Sequence, residues 1–255
     1  MNRSVLSGIL DRPRPVRLDE AEIPPGLRIL VLGPHPDDFD AAGVTLRLFR
    51  ERGCRLRLLV LSSSANGVED SFCSPPTPEA KAACREEEQR RSLRFFGLPA
   101  GAAEFLRLPV GPPEEGGYLL DDPAAFEAVK AGILADAPDL VFLPHGNDTN
   151  PDHRLTCFWR RRIAREASKP MAAMLIRDPK TVSSRDDAFV PFGEEAARWK
   201  AELLRFHLSQ HRRNLHTRGT GFDDRILGVN RASAARLGLL EPYAEAFEVE
   251  FSPRS

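Results

Sequence analysis

The sequence predicts one α/β domain with a single doubly wound, mostly parallel sheet and helices on both faces. Short apolar runs bounded by turn residues alternate along the chain with stretches of helical periodicity, which is the pattern of such sheets. The 255 residues, 42% of them hydrophobic, suffice for one large core. The net charge of −1 gives no overall attraction to nucleic acid or to an anionic membrane, so an anionic ligand would need a local basic patch.

The apolar runs place the strands. Residues 1–26, rich in proline and charge, are expected to form an N-terminal arm, and the domain is expected to span residues 27–255. Buried strands are expected at 28–33, 56–61, 104–108, 139–143 and 171–176, with a late strand at 247–251. Residues 181–191 show neither pattern and are expected to form a loop.

Apolar residues at helical spacing place the helices between these strands. Helices are expected at 40–52, 79–96, 126–135, 153–167, 193–208 and 223–237. The first two end at Gly53 and Gly97, because glycine adopts the left-handed conformation that commonly ends a helix. Strands that alternate with helices in this way favour parallel pairing.

Neither a membrane span nor a disulfide framework is indicated. No apolar run approaches the roughly 20 residues that cross a bilayer, and the N-terminus lacks the pattern of a signal peptide, so a cytoplasmic location is expected. The four cysteines show no CxxC spacing and are expected to be reduced thiols rather than metal ligands.

Two segments rich in histidine and aspartate follow predicted strands. Residues 34–38 (PHPDD) come directly after the strand at 28–33, and residues 145–153 (HGNDTNPDH) come after the strand at 139–143. In open parallel sheets, ligands bind beyond the carboxyl ends of the strands, where the strand order reverses. The candidate site is therefore expected at this edge of the sheet.

The first of these segments is suited to a divalent metal ion. Residues three apart in a tight turn have Cα atoms within about 7 Å, so His35 and Asp38 can bind one ion, with His153 as the third ligand. Such a site lowers the pKa of bound water to about 7, and Asp37 stays free as a general base. The alternative is a polar turn whose carboxylates cap the next helix. Both interpretations stay open on this segment alone, and the second segment favours the metal site.

Five short motifs occur in order along most of the chain. They are His35-Pro36-Asp37-Asp38, Cys84-Arg85-Glu86-Glu87-Glu88, Asn150-Pro151-Asp152-His153, Lys200 with His207-Leu208-Ser209-Gln210, and Tyr243-Ala244-Glu245-Ala246-Phe247. Together they resemble the LmbE/PIG-L family of zinc-dependent N-deacetylases, which act mostly on N-acetylglucosamine-containing small molecules and lipids. The resemblance implies a Rossmann-like fold.

The resemblance implies a role for each residue of the metal motifs. His35, Asp38 and His153 would bind zinc, although two histidines and one aspartate also suit ferrous iron. Asp37 would be the general base that deprotonates the metal-bound water. The expected reaction is removal of an acetyl group from an N-acetylated amino sugar or a related small molecule.

Three further residues are candidates for substrate binding. Arg85 would lie near the sugar, and Asp148 and His207 are the other two. For His207, an anchoring contact between helix and loop is an equal alternative. Two other functions stay open: a metal-binding protein of the same fold with weak or lost activity, and a doubly wound nucleotide-binding protein, for which the G-x-G-x-x-G motif is missing.

The chain departs from the family pattern at two positions. Phe39 stands where the family usually has glutamate, and Asn150 stands where it has the first histidine of His-Pro-Asp-His. That histidine is thought to stabilise the tetrahedral intermediate and to protonate the leaving amine. Asn150 can donate a hydrogen bond to an oxyanion, but it cannot deliver a proton.

Three routes can supply the missing proton. Asp37 can carry it from water to the amine, which is the favoured route, and His145 on the loop of Asn150 is the next candidate. His207 and His211 are the third, since they lie four residues apart and so on one face of a predicted helix.

Two runs of arginine complete the sequence features. Arg160-Arg161-Arg162 is expected to form a solvated helix face, and Arg212-Arg213 is expected in a flexible region that can cover the cleft. No aromatic residues are interleaved with these runs, so a nucleic-acid partner is not expected. The expected partner is a small N-acetylated molecule.

Overall fold

One eight-stranded sheet organises the structure, a computed structural model in which residues 13–251 are described. The strand order is β1-β7-β8-β6-β5-β2-β3-β4, and β8 alone runs antiparallel to its neighbours. The strands are β1 (Val16–Arg17), β2 (Arg28–Gly33), β3 (Arg55–Val60), β4 (Ala103–Phe105), β5 (Leu140–Pro144), β6 (Ala172–Ile176), β7 (Ala188–Phe192) and β8 (Tyr243–Phe251). The predicted α/β class with a mostly parallel sheet is confirmed.

The helices connect these strands, and three of them begin at a residue whose side chain caps the first turn. They are α1 (Asp38–Ala41), α2 (Gly43–Glu51), α3 (Pro78–Phe96), α4 (Pro123–Asp136), α5 (Pro151–Glu166), α6 (Glu194–Arg205), α7 (Leu208–Arg218) and α8 (Phe222–Leu237). Thr77, Asp122 and Asn150 each precede a proline, and their side chains accept a hydrogen bond from a backbone N–H of the first turn of α3, α4 and α5. Cap and proline together fix these three helix starts.

The central strand β2 is buried on both faces. Ile29 and Val31 belong to one hydrophobic cluster, and Leu30 and Leu32 belong to the other, as the alternation of side chains along a strand requires. The chain leaves β2 toward β3 and β4 on one side, whereas β5 and β6 lie on its other side. The strand order therefore reverses between β2 and β5, where a ligand site is expected.

The long helix predicted after β2 is broken at Ala42. The Glu245 carboxylate of β8 accepts hydrogen bonds from the backbone N–H groups of Val44 (3.0 Å) and Thr45 (2.7 Å) at the start of α2. Lys200 Nζ lies 2.6 Å from Glu245 Oε1 and balances its charge. The break thus exposes backbone donors to a buried carboxylate, which helical periodicity does not reveal.

Two sequence expectations about the sheet are wrong. Residues 181–191 are not only a loop, because Ala188–Phe192 form β7 between β1 and β8. The fold also does not start after Gly26, since β1 pairs with β7 and Leu18 is fully buried. Both strands depend on partners far away in the sequence, and Pro191 weakens the strand signal of β7 further. Residues 1–12 of the predicted arm lie outside the described residues.

The two arginine runs agree with expectation only in part. Arg161 and Arg162 are exposed as expected, whereas Arg160 is buried and donates from Nη2 to Met171 O at 3.0 Å, with Glu250 near Nη1. Arg212 and Arg213 lie within the regular helix α7. The four cysteines are free thiols, and within residues 13–251 no helix is long and apolar enough to cross a membrane.

Candidate active site

The turn after β2 and the loop after β5 meet at the reversal of the strand order. The turn folds back on itself, since the backbone N–H of His35 donates to Asp38 Oδ2 at 2.8 Å. A Cβ at Gly33 would lie 3.0 Å from His35 O and 3.2 Å from Asp38 Cβ. Because those contacts are tighter than side chains normally tolerate, the turn favours glycine at the end of β2.

The structure brings the three predicted metal ligands together. His35 Nδ1 lies 3.7 Å from Asp38 Oδ2, and His153 Nε2 lies 3.9 Å from Asp38 Oδ1. One ligand atom from each residue falls within 4.8 Å of the other two. Ligands about 2.0 to 2.2 Å from a tetrahedral ion lie roughly 3.5 Å from one another, so small side-chain movements suffice to hold a metal here.

Carboxylates face the outer nitrogens of both histidines. His35 Nε2 lies 2.8 Å from Asp152 Oδ2, and His153 Nδ1 lies 3.3 Å from Asp148 Oδ2. A carboxylate behind a histidine fixes the ring and directs the other nitrogen toward a metal. The donor set and its supporting carboxylates therefore fit a divalent transition metal.

The electrostatics of the group favour a cation. Burial raises the pKa of Asp38 to about 6, against the opposing effect of His35 and His153. Burial works against a charged His153, but the carboxylates of Asp148, Asp38 and Asp178 together outweigh it, and the pKa of His153 is raised. A buried carboxylate between two imidazoles gains from a divalent ion that replaces the protons.

Asp37 lies beside this group and is held by Arg85 of α3. Arg85 Nη2 donates to Asp37 Oδ2 at 2.9 Å and to Pro36 O at 3.1 Å, and only 2% of the arginine is exposed. Asp37 Oδ1 has no hydrogen-bond partner among residues 13–251. Both residues line the cavity, where the guanidinium of Arg85 binds Asp37.

A cavity of about 580 Å³ opens in front of these residues. Asn150, which begins α5, lines it together with Tyr118 and the metal-site residues. The Asn150 Oδ1 atom accepts a hydrogen bond from Asp152 N at 3.0 Å, whereas its Nδ2 has no partner in the described part of the chain. The amide therefore has a donor available to a molecule in the cavity.

Two residues of the second motif lie behind the site rather than in the cavity. Asp148 is buried and supports His153, so the prediction that it contacts substrate does not agree with its position. His145 accepts a hydrogen bond from Asn147 N at 2.9 Å and faces Glu248 at 3.1 Å. Because both ring nitrogens of His145 are engaged away from the cavity, it is not placed to protonate a leaving amine.

His207 and His211 are also turned away from the cavity. His207 is fully buried and hydrogen-bonds through Nε2 to Asp40, whose carboxylate also accepts from Ser92 Oγ at 2.6 and 2.7 Å. This position corrects the prediction of substrate binding and agrees with the anchoring alternative. His211 Nδ1 faces Asp223 Oδ1 at 3.0 Å.

The remaining motif residues bind one another beneath the site. Ser209 donates to the Glu88 carboxylate through its backbone N–H (2.7 Å) and its Oγ (2.6 Å), and Lys200 pairs with Glu245. These contacts join α3, α7, α6 and β8. These four residues therefore join the helices and the sheet beneath the site, and Gln210 of the same motif is the exception because it lines the cavity.

Two features of the site escaped the sequence analysis. Asp152 supports His35, although its position next to His153 in Asn-Pro-Asp-His was a usable signal. The outer wall of the cavity comes from α7 and α8, and the sequence connected only the Arg212-Arg213 segment of α7 to the cleft. That wall depends on how distant helices pack, which residue spacing does not report.

Comparisons with known proteins bear on the family and on the fold. The family model described as PIG-L: GlcNAc-PI de-N-acetylase matches residues 30–164, more than half of the chain. No curated protein matches the sequence.

Three solved structures illustrate the shared fold. The chain is 17% identical to N,N′-diacetylchitobiose deacetylase from Pyrococcus horikoshii, with coverage of 97% of this chain and 90% of that one and a TM-score of 0.72. It is 19% identical to GalB, the 4-carboxy-2-hydroxymuconate hydratase from Pseudomonas putida KT2440 (coverage 90% and 98%, TM-score 0.64). It is 16% identical to teicoplanin deacetylase Orf2, solved in a zinc-inhibited form (coverage 89% and 100%, TM-score 0.64).

Proposed function

Because the chain belongs to the PIG-L family, we propose that it is a metal-dependent N-deacetylase that removes an acetyl group from an N-acetylated amino sugar or a related small molecule. One observation carries the proposal: His35, Asp38 and His153 face a common point in a cavity, with Asp37 beside them. Zinc suits these ligands, and ferrous iron suits them as well. A cytoplasmic location stays a prediction of the sequence.

His35 Nδ1, Asp38 and His153 Nε2 would hold the metal. When bound, such an ion polarises the amide carbonyl and lowers the pKa of a coordinated water. Asp152 and Asp148 hold the two imidazole rings in fixed orientations, since each carboxylate faces the outer nitrogen of one histidine.

Asp37 is the proposed general base. Arg85 holds one of its carboxylate oxygens at 2.9 Å and leaves the other without a partner among the described residues. This oxygen accepts the proton of the attacking water as the water adds to the amide carbon. The ion pair fixes the direction of the Asp37 carboxylate, so that Arg85 is a positioning residue.

The leaving amine then needs a proton. Of the routes that the sequence left open, only Asp37 lines the cavity, so it passes on the proton that it took from water. Asn150 Nδ2 donates a hydrogen bond to the oxyanion that forms during the reaction. The amide C–N bond breaks, acetate forms with the water oxygen, and the free amine carries the transferred proton.

The fold alone does not select amide hydrolysis, because GalB is a hydratase on a similar fold. The family match favours deacetylation. A metal-binding protein with weak or lost activity is the runner-up, motivated by Asn150 and Phe39 in place of the family residues.

Acetate release tests the proposal directly. N-acetylglucosamine and N,N′-diacetylchitobiose are incubated with the metal-loaded protein, with and without a chelator, and with the Asp37→Asn variant. We expect the chelator to abolish acetate release, and Asp37→Asn to lower kcat by at least about a hundredfold while the metal content stays unchanged.

Asp70→Asn is the matched control, because Asp70 is exposed and pairs only with Lys81. It should leave acetate release and metal content as in the wild type. Stoichiometric metal without acetate release would favour the runner-up, and acetate release that survives both chelation and Asp37→Asn would refute the mechanism.

A further inference from the structure

One face of α7 is polar throughout and turns toward the cavity. Gln210, Arg213, Asn214, Thr217 and Arg218 all line it. These positions follow the spacing i, i+3, i+4, i+7 and i+8, which puts side chains on one side of a helix. A helix that packs on a core normally has apolar residues at this spacing. The polar face of α7 therefore lines a space for a polar ligand and does not pack into the core.

Four cations contribute to this outer wall of the cavity. Arg213 and Arg218 come from α7, Arg225 from α8, and Lys180 from the segment after β6. Among residues 13–251, the side chains of Arg213, Arg218 and Lys180 make neither a hydrogen bond nor an ion pair. Arg225 Nη1 donates to Asn214 Oδ1 at 2.6 Å, which fixes its direction.

The carboxylates of the cavity do not balance these charges. Asp37 is paired with Arg85, Asp152 faces His35, and Asp38 belongs to the metal group. Asp178 is the one remaining carboxylate that the structure describes in the lining. Four cations against one carboxylate leave the outer wall positively charged, although the whole chain carries a net charge of −1.

Some arginines elsewhere on the surface have a carboxylate partner. Arg47 pairs with Glu51, and Arg91 with Glu87, each within one helix. At the cavity, burial lowers the pKa of Arg225, and the like charge of Arg218 lowers it further against the opposing effect of Asp178. Like charges held close together are unfavourable until an anion lies between them.

Resting on the proposed function, we propose that Arg213 and Arg218, with Lys180 and Arg225, bind an anionic group, a phosphate or a carboxylate, that the substrate carries beyond its N-acetylated sugar. Guanidinium groups bind both anions through charge-assisted hydrogen bonds. A cavity of about 580 Å³ lies within the range that holds drug-sized ligands and has room for such a group. The metal group and the cationic wall would then bind opposite ends of one molecule.

Equilibrium binding to three probes tests the inference. The probes are methyl N-acetylglucosaminide, which is neutral, N-acetylglucosamine 1-phosphate, and carboxymethyl N-acetylglucosaminide. Calorimetry is performed on the metal-loaded Asp37→Asn protein, which prevents hydrolysis during the titration. We expect one or both anionic probes to bind at least about tenfold more tightly than the neutral probe, and the phosphate and carboxylate results show which anion the wall prefers.

When Arg213→Gln and Arg218→Gln are combined in the Asp37→Asn protein, the tighter binding of the anionic probes should be abolished. The affinity for the neutral probe should stay unchanged. Arg212→Gln is the matched control, because Arg212 lies on α7 but does not line the cavity. It should retain the preference, which should shrink at high salt because exposed charges are screened. Equal affinity for all three probes, or a preference that survives the double substitution, would overturn the inference.

The same measurements separate this inference from the proposed function. An anion preference that depends on Arg213 and Arg218, in a protein that releases no acetate, would support the binding wall and contradict deacetylation. Acetate release without any preference for anionic probes would support deacetylation and contradict the anion-binding wall.

Discussion

Two histidine–aspartate groups lie near the end of β2, and they differ in access rather than in composition. In front of the strand, His35, Asp38 and His153 line an open cavity with ligand atoms 3.7 and 3.9 Å apart. Below it, Asp40 and His207 are fully buried and hydrogen-bonded to each other. Asp38 and Asp40 are only two residues apart in the sequence.

The difference shows that a metal site needs ligand atoms that are not already hydrogen-bonded to each other. The front group has nitrogens and oxygens that face one another at distances too long for hydrogen bonds, so that an ion can enter between them. In the buried group, Ser92 and His207 already bind the Asp40 carboxylate. Substitutions in the front group should therefore change metal content and turnover, whereas substitutions in the buried group should change stability.

The largest expected effect is on the metal ligands. His35→Ala combined with His153→Ala should reduce bound metal from about one ion per chain to nearly none, because one carboxylate cannot hold a transition metal. Acetate release should fall with it, by well over about a hundredfold. Elemental analysis of the purified protein and an acetate assay provide the measurement.

His216→Ala is the control for these ligands, since His216 is exposed and does not line the cavity. Full metal content in the double variant would place the metal elsewhere.

A smaller loss of activity is expected at Asn150. Asn150→Ser keeps a helix-capping oxygen at the start of α5 but removes the amide donor, so kcat should fall by roughly 10² to 10³ while the melting temperature changes little. Asn150→His should instead keep the wild-type kcat or raise it, because imidazole both donates a hydrogen bond and carries a proton. An unchanged kcat in Asn150→Ser would exclude a role at the oxyanion.

The smallest effect on chemistry and a large one on stability are expected at His207. Burial opposes its charged form, but the Asp40 carboxylate raises the pKa of His207 above the ordinary value. Its stabilising contribution is therefore fully present below about pH 6.5, the ordinary pKa of histidine, and is lost as the pH rises through the raised pKa of the folded state.

Urea unfolding at two pH values tests this sign. His207→Asn should lower the free energy of unfolding by about 3 kcal/mol at pH 6, since it leaves a buried carboxylate without its partner, and by less at high pH. The folded variant should keep its metal content. A destabilisation that grows with pH would contradict the assigned ion pair.

Local sequence contained most of the metal site. His35 and Asp38 lie in one tight turn, and Asp152 and His153 lie in the first turn of one helix, so their spacing already limits where they can point. Sequence spacing did not decide in this way which residue protonates the leaving amine. His145 is five residues from Asn150, yet the pairing of its loop with Glu248 turns it out of the cavity.

The sequence by itself determined the α/β class, because apolar periodicity acts locally, and it predicted the edge of the sheet that carries the site. The proposed metal ligands came from the two histidine–aspartate segments together with the family resemblance. Only the tertiary structure decided that His207 is buried against Asp40, that β7 pairs with β1 and β8, and that α7 turns its arginines into the cavity. The physical reason is the same in each case. The pairing partner or the cavity lies far away along the chain, and only packing decides whether a polar side chain finds a neighbour, a ligand space or solvent.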